Sequence, residues 1–331
     1  MEQQVLGRSG RLVSVVGLGT WQLGADWGNV SDTDARDALE ASLEAGVTFY
    51  DTADVYGDGR SEQVIGEFLK EHADAGITVA TKMGRRMDQV PENYVLANFR
   101  EWTDRSRRNL GVERLDLVQL HCPPTAVYSS DEVYDALDTL VDDGVMTNYG
   151  VSVETAAEAL TAIARPGVAT VQIILNAFRL KPLDEVLPAA SEAGVGIIAR
   201  VPLASGLLSG KYTADTKFAE NDHRSFNRDG AAFDVGETFS GVPYEVGLEA
   251  ASRFTDLAAK CFDDSLTPAQ AAIAWVWQRP GVSTVIPGAR NAEQARANAA
   301  AGDAATLGPL FTSGVREIYD ELIKEHVADK W

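Results

Sequence analysis

In FYDTADVYGDGRSE, residues 49–62, a strand-like beginning runs into a carboxylate at Asp51 and a phenol at Tyr56, five positions further on. Val47 to Tyr50 follow the helix-stopping pair Ala45-Gly46, so Asp51 is delivered at a strand's end and Tyr56 in the loop beyond it. Other apolar runs end in the same way. ITVAT is followed by Lys82, Leu115–Leu120 by His121 and Asn148–Val151 by Ser152, while Gln172 lies within Thr170–Ile174. Each alone has an ordinary reading: Asp51 as a loop acceptor, Lys82 as a surface charge, His121 as a satisfied histidine. Their joint occurrence at strand ends suggests one site. A lysine and a carboxylate brought together in a low-dielectric pocket must pair. An ammonium beside a phenol stabilises the phenolate, which predicts that Lys82 lowers the Tyr56 pKa from about 10 and fits the phenol for proton transfer. Asp51 would hold Lys82 charged and aimed, and His121 would bond a substrate oxygen or relay its proton.

The elements that must position these groups are legible as alternation. Eight strand-like runs are expected at Val15–Leu18, Val47–Tyr50, Thr78–Thr81, Leu115–Leu120, Asn148–Val151, Thr170–Ile174, Gly196–Ala199 and Ser283–Ile286. Between them, SDTDARDALEASLEAG from Ser31 carries an N-cap candidate, acidic first-turn residues and Gly46 as a stop, and the stretches from Ser129, Val153 and Pro182 repeat that grammar. Strict alternation without a linker predicts one α/β domain over residues 1–331, a (β/α)₈ TIM barrel, with a doubly wound sheet as the competitor. An N-terminal hairpin turning at Arg8-Ser9-Gly10 would precede it, and an extra C-terminal helix, SGVREIYDELIKEHVADKW, would follow. Residues 203–245, rich in Gly, Asp, Ser and Thr, break the alternation and read as a functional loop. They could close over a ligand as a lid, with Lys211, Lys217, His223, Arg224 and Arg228 supplying positive charge.

Composition narrows the partners. With 29 Lys and Arg against 49 Asp and Glu, the formal net charge of −20 disfavours nucleic acid and anionic membrane faces. No run of about 18 apolar residues occurs, and the first residues lack the basic-then-apolar pattern of an export signal. Two cysteines, Cys122 and Cys261, are too few for a disulfide framework, so a cytoplasmic location is expected. The four histidines lack metal-ligand spacing, so no metal is expected, and charged helix faces favour a monomer. GLGTWQLG has Gln22 where a dinucleotide fingerprint needs its third glycine, and GLLSGKY is one residue short of a P-loop.

GLGTWQLG, FYDTADVYG, VATKMG, LVQLHCPP, GVSVE and IPGARNAEQARANAAA, in this order along nearly the whole chain, resemble the aldo-keto reductase superfamily. The resemblance implies an NAD(P)H-dependent oxidoreductase that reduces aldehydes or ketones on a (β/α)₈ barrel, with Asp51, Tyr56, Lys82 and His121 as the catalytic tetrad and Tyr56 as general acid. It places Gly19, Thr20, Trp21 and Asp51 against the cofactor, and Ser152 and Gln172 against the nicotinamide carboxamide. Val153 stands where Asn is usual, and Arg200 stands where many relatives stack a Tyr on the ring. Leu203, Ser205, Gly206, Leu207, Ser209 and Lys211 resemble the pyrophosphate loop. Gly288, Arg290, Gln294 and Asn298 occupy the adenosine-phosphate positions, and Arg290 as the clear 2′-phosphate partner favours NADPH, with NADH the alternative. Trp21, Tyr56 and His121 would line the pocket for a small carbonyl substrate, with Trp27, Trp102, Tyr128 and Phe226 as weaker candidates. Trp275 and Trp277 read as helix packing. A barrel of this kind serving as a non-catalytic NADPH-binding regulatory or assembly subunit is the alternative, and a barrel lyase or isomerase without nicotinamide a third.

Overall fold

A computed structural model describes residues 1–24, 30–220, 222–263 and 265–331. Strands β1 (Gln3–Val5) and β2 (Leu12–Ser14) form an antiparallel hairpin. Eight further strands pair in parallel: β3 (Leu18–Gly19), β4 (Phe49–Asp51), β5 (Thr78–Met83), β6 (Leu115–His121), β7 (Met146–Ser152), β8 (Val168–Ile174), β9 (Gly196–Arg200) and β10 (Val282–Val285). Their spatial order follows the chain from β3 to β10, and parallel bridges Val16–Val285 and Gly19–Gly288 join the last strand to the first. The expected (β/α)₈ barrel is therefore the observed fold.

Strands enclosed on both faces read as apolar runs because neither face meets water, and β5, β8, β9 and β10 are buried throughout. The first strand is displaced from its expected Val15–Leu18. Val15 and Gly17 do bond to β10, with Val285 N donating to Val15 O and Gly17 N to Val285 O, but pairing with β4 begins only at Leu18.

Helices follow the expected grammar with shifted starts. Ser31 caps the helix Asp32–Glu44, its side chain accepting from Asp34 N at 3.1 Å. Ser130 rather than Ser129 caps Asp131–Asp142, and Thr155 with Glu158 makes a capping box before Ala156–Ile163. A short 3₁₀ turn, Lys181–Leu183, precedes Val186–Ala193, which stops at left-handed Gly194. The expected terminal helix is Pro309–Ile318, continued by a π-turn to Ile323 and by Lys324–Val327.

The hairpin closes the end of the barrel opposite the strand C-termini. Leu6 and Val13 pack on Phe49, Ala80, Leu117, Ile198 and Ile286 inside it. Arg8 ties the hairpin down by donating to the carbonyls of Ala193, Arg165, Pro166 and Val168. The strand C-termini are thus the end left for a site.

Candidate active site

Asp51 ends β4, His121 ends β6, Ser152 ends β7 and Arg200 ends β9, while Lys82 is the penultimate residue of β5 and Gln172 lies in β8. Strand register sets Lys82 beside Gln119, His121 beside Ser152, and Ser152 beside Gln172. Tyr56 comes from a turn, Tyr56–Gly59, in which Gly57, Asp58 and Gly59 all have positive φ. A side chain at Gly57 would strike the backbone of Gly24, so this tight approach requires glycine.

Lys82 is the hub. Its Nζ donates to Asp51 Oδ2 at 2.6 Å, to Thr52 O at 2.9 Å and to Tyr56 Oη at 3.3 Å. Asp51 and Lys82 are 2 % and 1 % exposed, so this ion pair is sealed from water. Gln172 Nε2 at 2.7 Å and Gln119 Nε2 at 3.3 Å donate to the other Asp51 oxygen. Burial pulls the Lys82 pKa down, but Asp51 and Tyr56 outweigh it and hold the ammonium above its ordinary value. Tyr56 departs from expectation: burial raises its pKa more strongly than Lys82 lowers it, and Asp51 and Glu237 add to the rise. The phenol is therefore a firmly protonated donor, with the ammonium positioned to receive the developing phenolate. Burial, then the cations Arg85, Lys82 and Arg200, push the His121 pKa well below 6.5, which leaves a neutral imidazole. Its ring stands edge-on to Tyr56 with centroids 6.0 Å apart.

A cleft of about 720 Å³ runs from this cluster to Arg290 and Asn298. It is lined by Gly19, Thr20, Trp21, Asp51, Tyr56, His121, Ser152, Gln172, Arg200, Leu203, Ser205, Gly206, Ser209, Lys211, Gly288, Arg290, Gln294 and Asn298. Two expected positions do not line it. Lys82 stands behind Asp51 and Tyr56, and Leu207 turns into the core, 1 % exposed and packed toward Gly247. Ser152 Oγ already accepts from Cys122 N at 3.0 Å, and Gln172 is committed to Asp51, so both expected carboxamide partners also serve the strand ends. Gln294 Oε1 accepts from Arg290 N, and Asn298 Nδ2 donates to Gly288 O at 3.0 Å, so these two brace the loop.

The cleft suits an elongated anionic ligand in an acidic protein. Val201, Ala204, Ser205, Gly206 and Gly210 all have positive φ, a run that turns backbone amides into anion-binding concavities. Lys211 and Arg290 add positive charge along the far part, against one lining carboxylate there, Glu293, while Arg224 also lines it but is paired with Asp222. Of the other proposed lid cations, His223 packs against Trp21 with ring centroids 5.3 Å apart, and Arg228 lies over Tyr244. Lys217 does not line the cleft.

Trp21 stacks over Tyr56, centroids 6.0 Å apart and 19° from parallel, and with Phe233 walls the pocket beside the phenol. The weaker aromatic candidates do not reach it. Trp102 is buried against Tyr94 and Phe99, Tyr128 is buried and donates to Ser152 O at 2.8 Å, and Phe226 meets Phe233 edge-on from outside. Trp27 lies outside the described residues. Trp275 and Trp277 are buried in the helix Pro268–Trp277.

An ionic cluster beside the pocket has no counterpart in the sequence reading. Arg200, at the position where many relatives stack a Tyr, pairs with Glu154 at 3.1 Å and with Glu237, and donates to Val153 O at 3.0 Å. Arg85 joins it, 3.6 Å from Glu154, and donates from Nε to His121 O at 3.2 Å. Arg85 and Glu154 follow the ends of β5 and β7 closely, which is a signal; Glu237 sits in the long segment with no pattern to mark it. Asp54 is a further surprise. It is fully buried, its carboxylate has no side-chain partner among the described residues and only the adjacent Val55 N–H near it, and burial reinforced by Glu62 pushes its pKa up to about 7.

The fold sets the buried Asp-Lys-Tyr-His group at the strand C-termini, where it opens on a long cleft. The pattern of the Aldo/keto reductase family matches residues 15–320, and the chain belongs to that family. It is accordingly a nicotinamide-dependent oxidoreductase. An uncharacterized oxidoreductase of Mycobacterium tuberculosis is 33% identical over 302 residues, 88% of this chain and 85% of the relative. A probable voltage-gated potassium channel subunit beta of Arabidopsis thaliana is 29% identical, covering 98% of this chain and 97% of its own. Among solved structures, a glycerol dehydrogenase from Gluconobacter oxydans superposes with a TM-score of 0.78 at 28% identity, over 99% of this chain and 97% of that one.

Proposed function

We propose that the protein reduces aldehydes or ketones to alcohols with NADPH, or runs the reverse oxidation, with Tyr56 as general acid assisted by Lys82, Asp51 and His121. The observation that carries this reading is the Lys82 ammonium, bonded to both Asp51 and the Tyr56 hydroxyl behind a pocket closed to water on that side. NADPH, held in the cleft by the Val201–Gly210 loop and Arg290, would supply the two electrons of the reduction as hydride. Tyr56 holds the proton that the nascent alkoxide takes, and its raised pKa keeps that proton in place until charge develops on the substrate oxygen. Lys82 then stabilises the phenolate at 3.3 Å, and Asp51 keeps Lys82 charged and directed. His121, neutral, orients the oxygen by hydrogen bonding without adding charge.

The residues present fit the cofactor. The strained loop from Val201 to Gly210 offers amides to the pyrophosphate, and Arg290, exposed at the far end, favours the 2′-phosphate of NADPH over NADH. Segment 203–245 covers the cleft as a lid, and Trp21, Tyr56 and His121 receive the substrate. The test is the absorbance of NADPH and NADH, in parallel, with purified protein and a panel of aromatic aldehydes, α-dicarbonyls and sugars. Turnover preferring NADPH is expected. Similarity to a channel subunit along the whole chain keeps a second reading in view, that of an NADPH-binding regulatory subunit. Tight NADPH binding with no turnover on any carbonyl, and a protein partner that co-purifies, would favour that reading.

A further inference from the structure

Arg179, just beyond β8, is 2 % exposed, and burial pulls its pKa down to about 10. Its Nη2 donates to Glu154 O, but Nε and Nη1 have no acceptor among the described residues. A buried guanidinium so placed needs compensation, and the Trp331 indole supplies it by stacking with its ring centroid 3.9 Å from Arg179 Cζ. The same indole reaches the long segment. Trp331 Nε1 donates to the Asp234 carboxylate at 3.1 and 3.2 Å. Its ring also lies so close to Gly236 and Gly241 that a side chain at either would strike it. Neighbouring contacts secure this stretch, with Lys181 Nζ donating to Ala328 O at 3.1 Å and Lys330 Nζ to Gly241 O at 3.4 Å.

Asp234 in turn caps the turn Val235–Glu237, accepting from Gly236 N at 2.7 Å. That turn presents Glu237 to Arg200 at the cleft wall, and Ser205 of the strained loop donates to Glu237 O at 2.9 Å while accepting from Phe239 N at 3.0 Å. One continuous chain of contacts therefore runs from Trp331 through Asp234 and Glu237 to Arg200 and Ser205. Neither Trp331 nor Asp234 lines the cleft or touches the Asp51-Lys82-Tyr56 group.

We propose that Trp331 is a positioning residue for the cofactor cleft, holding the Asp234–Glu237 turn so that Glu237 clamps Arg200 and Ser205 against the bound nucleotide. The proposal rests on the reading of the cleft as an NADPH site. Its signature is a loss of cofactor affinity with the proton-transfer group untouched.

The test measures NADPH dissociation constants by calorimetry, with kcat and cofactor KM, for the full chain and for W331A, W331F, E237Q and W331A/E237Q. W331A should raise the NADPH dissociation constant and KM about tenfold while kcat stays within about twofold, the split expected when binding rather than chemistry is lost. W331F keeps an aromatic face for Arg179 but not the bond to Asp234, and should fall between. In the E237Q background W331A should have a smaller effect, because E237Q already breaks the Arg200 arm of the chain while the Ser205 bond to the Glu237 carbonyl remains. An unchanged dissociation constant in W331A would overturn the proposal, as would an equal loss in the E237Q background or a collapse of kcat. Should W331A not fold, W331F and D234N carry the same comparison. Failure of the unsubstituted protein to bind NADPH or NADH would overturn the cofactor reading itself, and this proposal with it.

Discussion

Replacing Asp54 with asparagine removes a carboxyl group that is fully buried two residues before Tyr56, with no side-chain partner among the described residues and only the adjacent Val55 N–H near it. Burial and the neighbouring charge of Glu62 raise its pKa from 3.8 to about 7 against the opposing pull of Arg86 and Arg105. The unfolded chain releases this proton near 3.8 and the folded chain near 7, so the folded state binds more protons across that interval and stability falls as pH rises through it. At about 1.4 kcal/mol per pH unit, the whole interval amounts to roughly 4 kcal/mol of destabilisation, fully felt above the folded pKa. At about pH 5 somewhat under half of this is present, and at about pH 8.5 nearly all of it. Asparagine has the same shape and no charge, so its own contribution is flat over this range. Urea denaturation of both proteins at both pH values isolates the effect, because every other titrating group cancels in the difference of differences. Asp54→Asn should gain roughly 2–3 kcal/mol relative to the unsubstituted protein between about pH 5 and about pH 8.5. Parallel pH profiles would refute the reasoning and show that the carboxylate has a partner or water access in the folded state.

Lys82→Met should strand the Asp51 carboxylate with only Gln172 and Gln119, costing about 3–5 kcal/mol in chemical denaturation. Turnover should fall by about 10² or more, since the phenolate loses its stabilising charge. Arg290→Ala should raise the KM for NADPH by roughly tenfold and leave that for NADH unchanged, as steady-state kinetics with both cofactors would show. Proteolytic cleavage within residues 203–245 should slow when NADPH is added; an unchanged rate would count against closure of that segment over the cofactor.

The barrel was legible because strands shielded on both faces must be apolar, and because the polar residues at their ends then stand out. Asp51, Lys82 and His121 were readable on that ground, since a charge at the close of a buried run needs a reason. The first strand misled because Val15 and Val16 are fully buried yet serve β10 before β4, and burial alone does not say which neighbour a strand pairs with. The direction of the Tyr56 pKa was beyond the sequence for a related reason: a nearby lysine can be inferred from strand order, but the depth of burial that outweighs it cannot. The Arg200 clamp was illegible because Glu154 and Glu237 lie 46 and 37 positions away, and Glu237 comes from a segment with no periodicity to place it. The same segment is less irregular than its composition suggests. Asp222 caps the short helix His223–Phe226, and Asn227 accepts from Ala232 N and Phe233 N, so side-chain hydrogen bonds order it where hydrophobic pattern does not.

Tyr56→Phe removes one oxygen from the centre of the proposed mechanism and leaves the ring stacked beneath Trp21. The decisive measurement is kcat for this variant with the best carbonyl substrate, beside its NADPH dissociation constant. A fall in kcat of about 10²–10⁴ with cofactor affinity within about twofold is the predicted result. A rate close to that of the unsubstituted protein would contradict the assignment of Tyr56 as the proton donor.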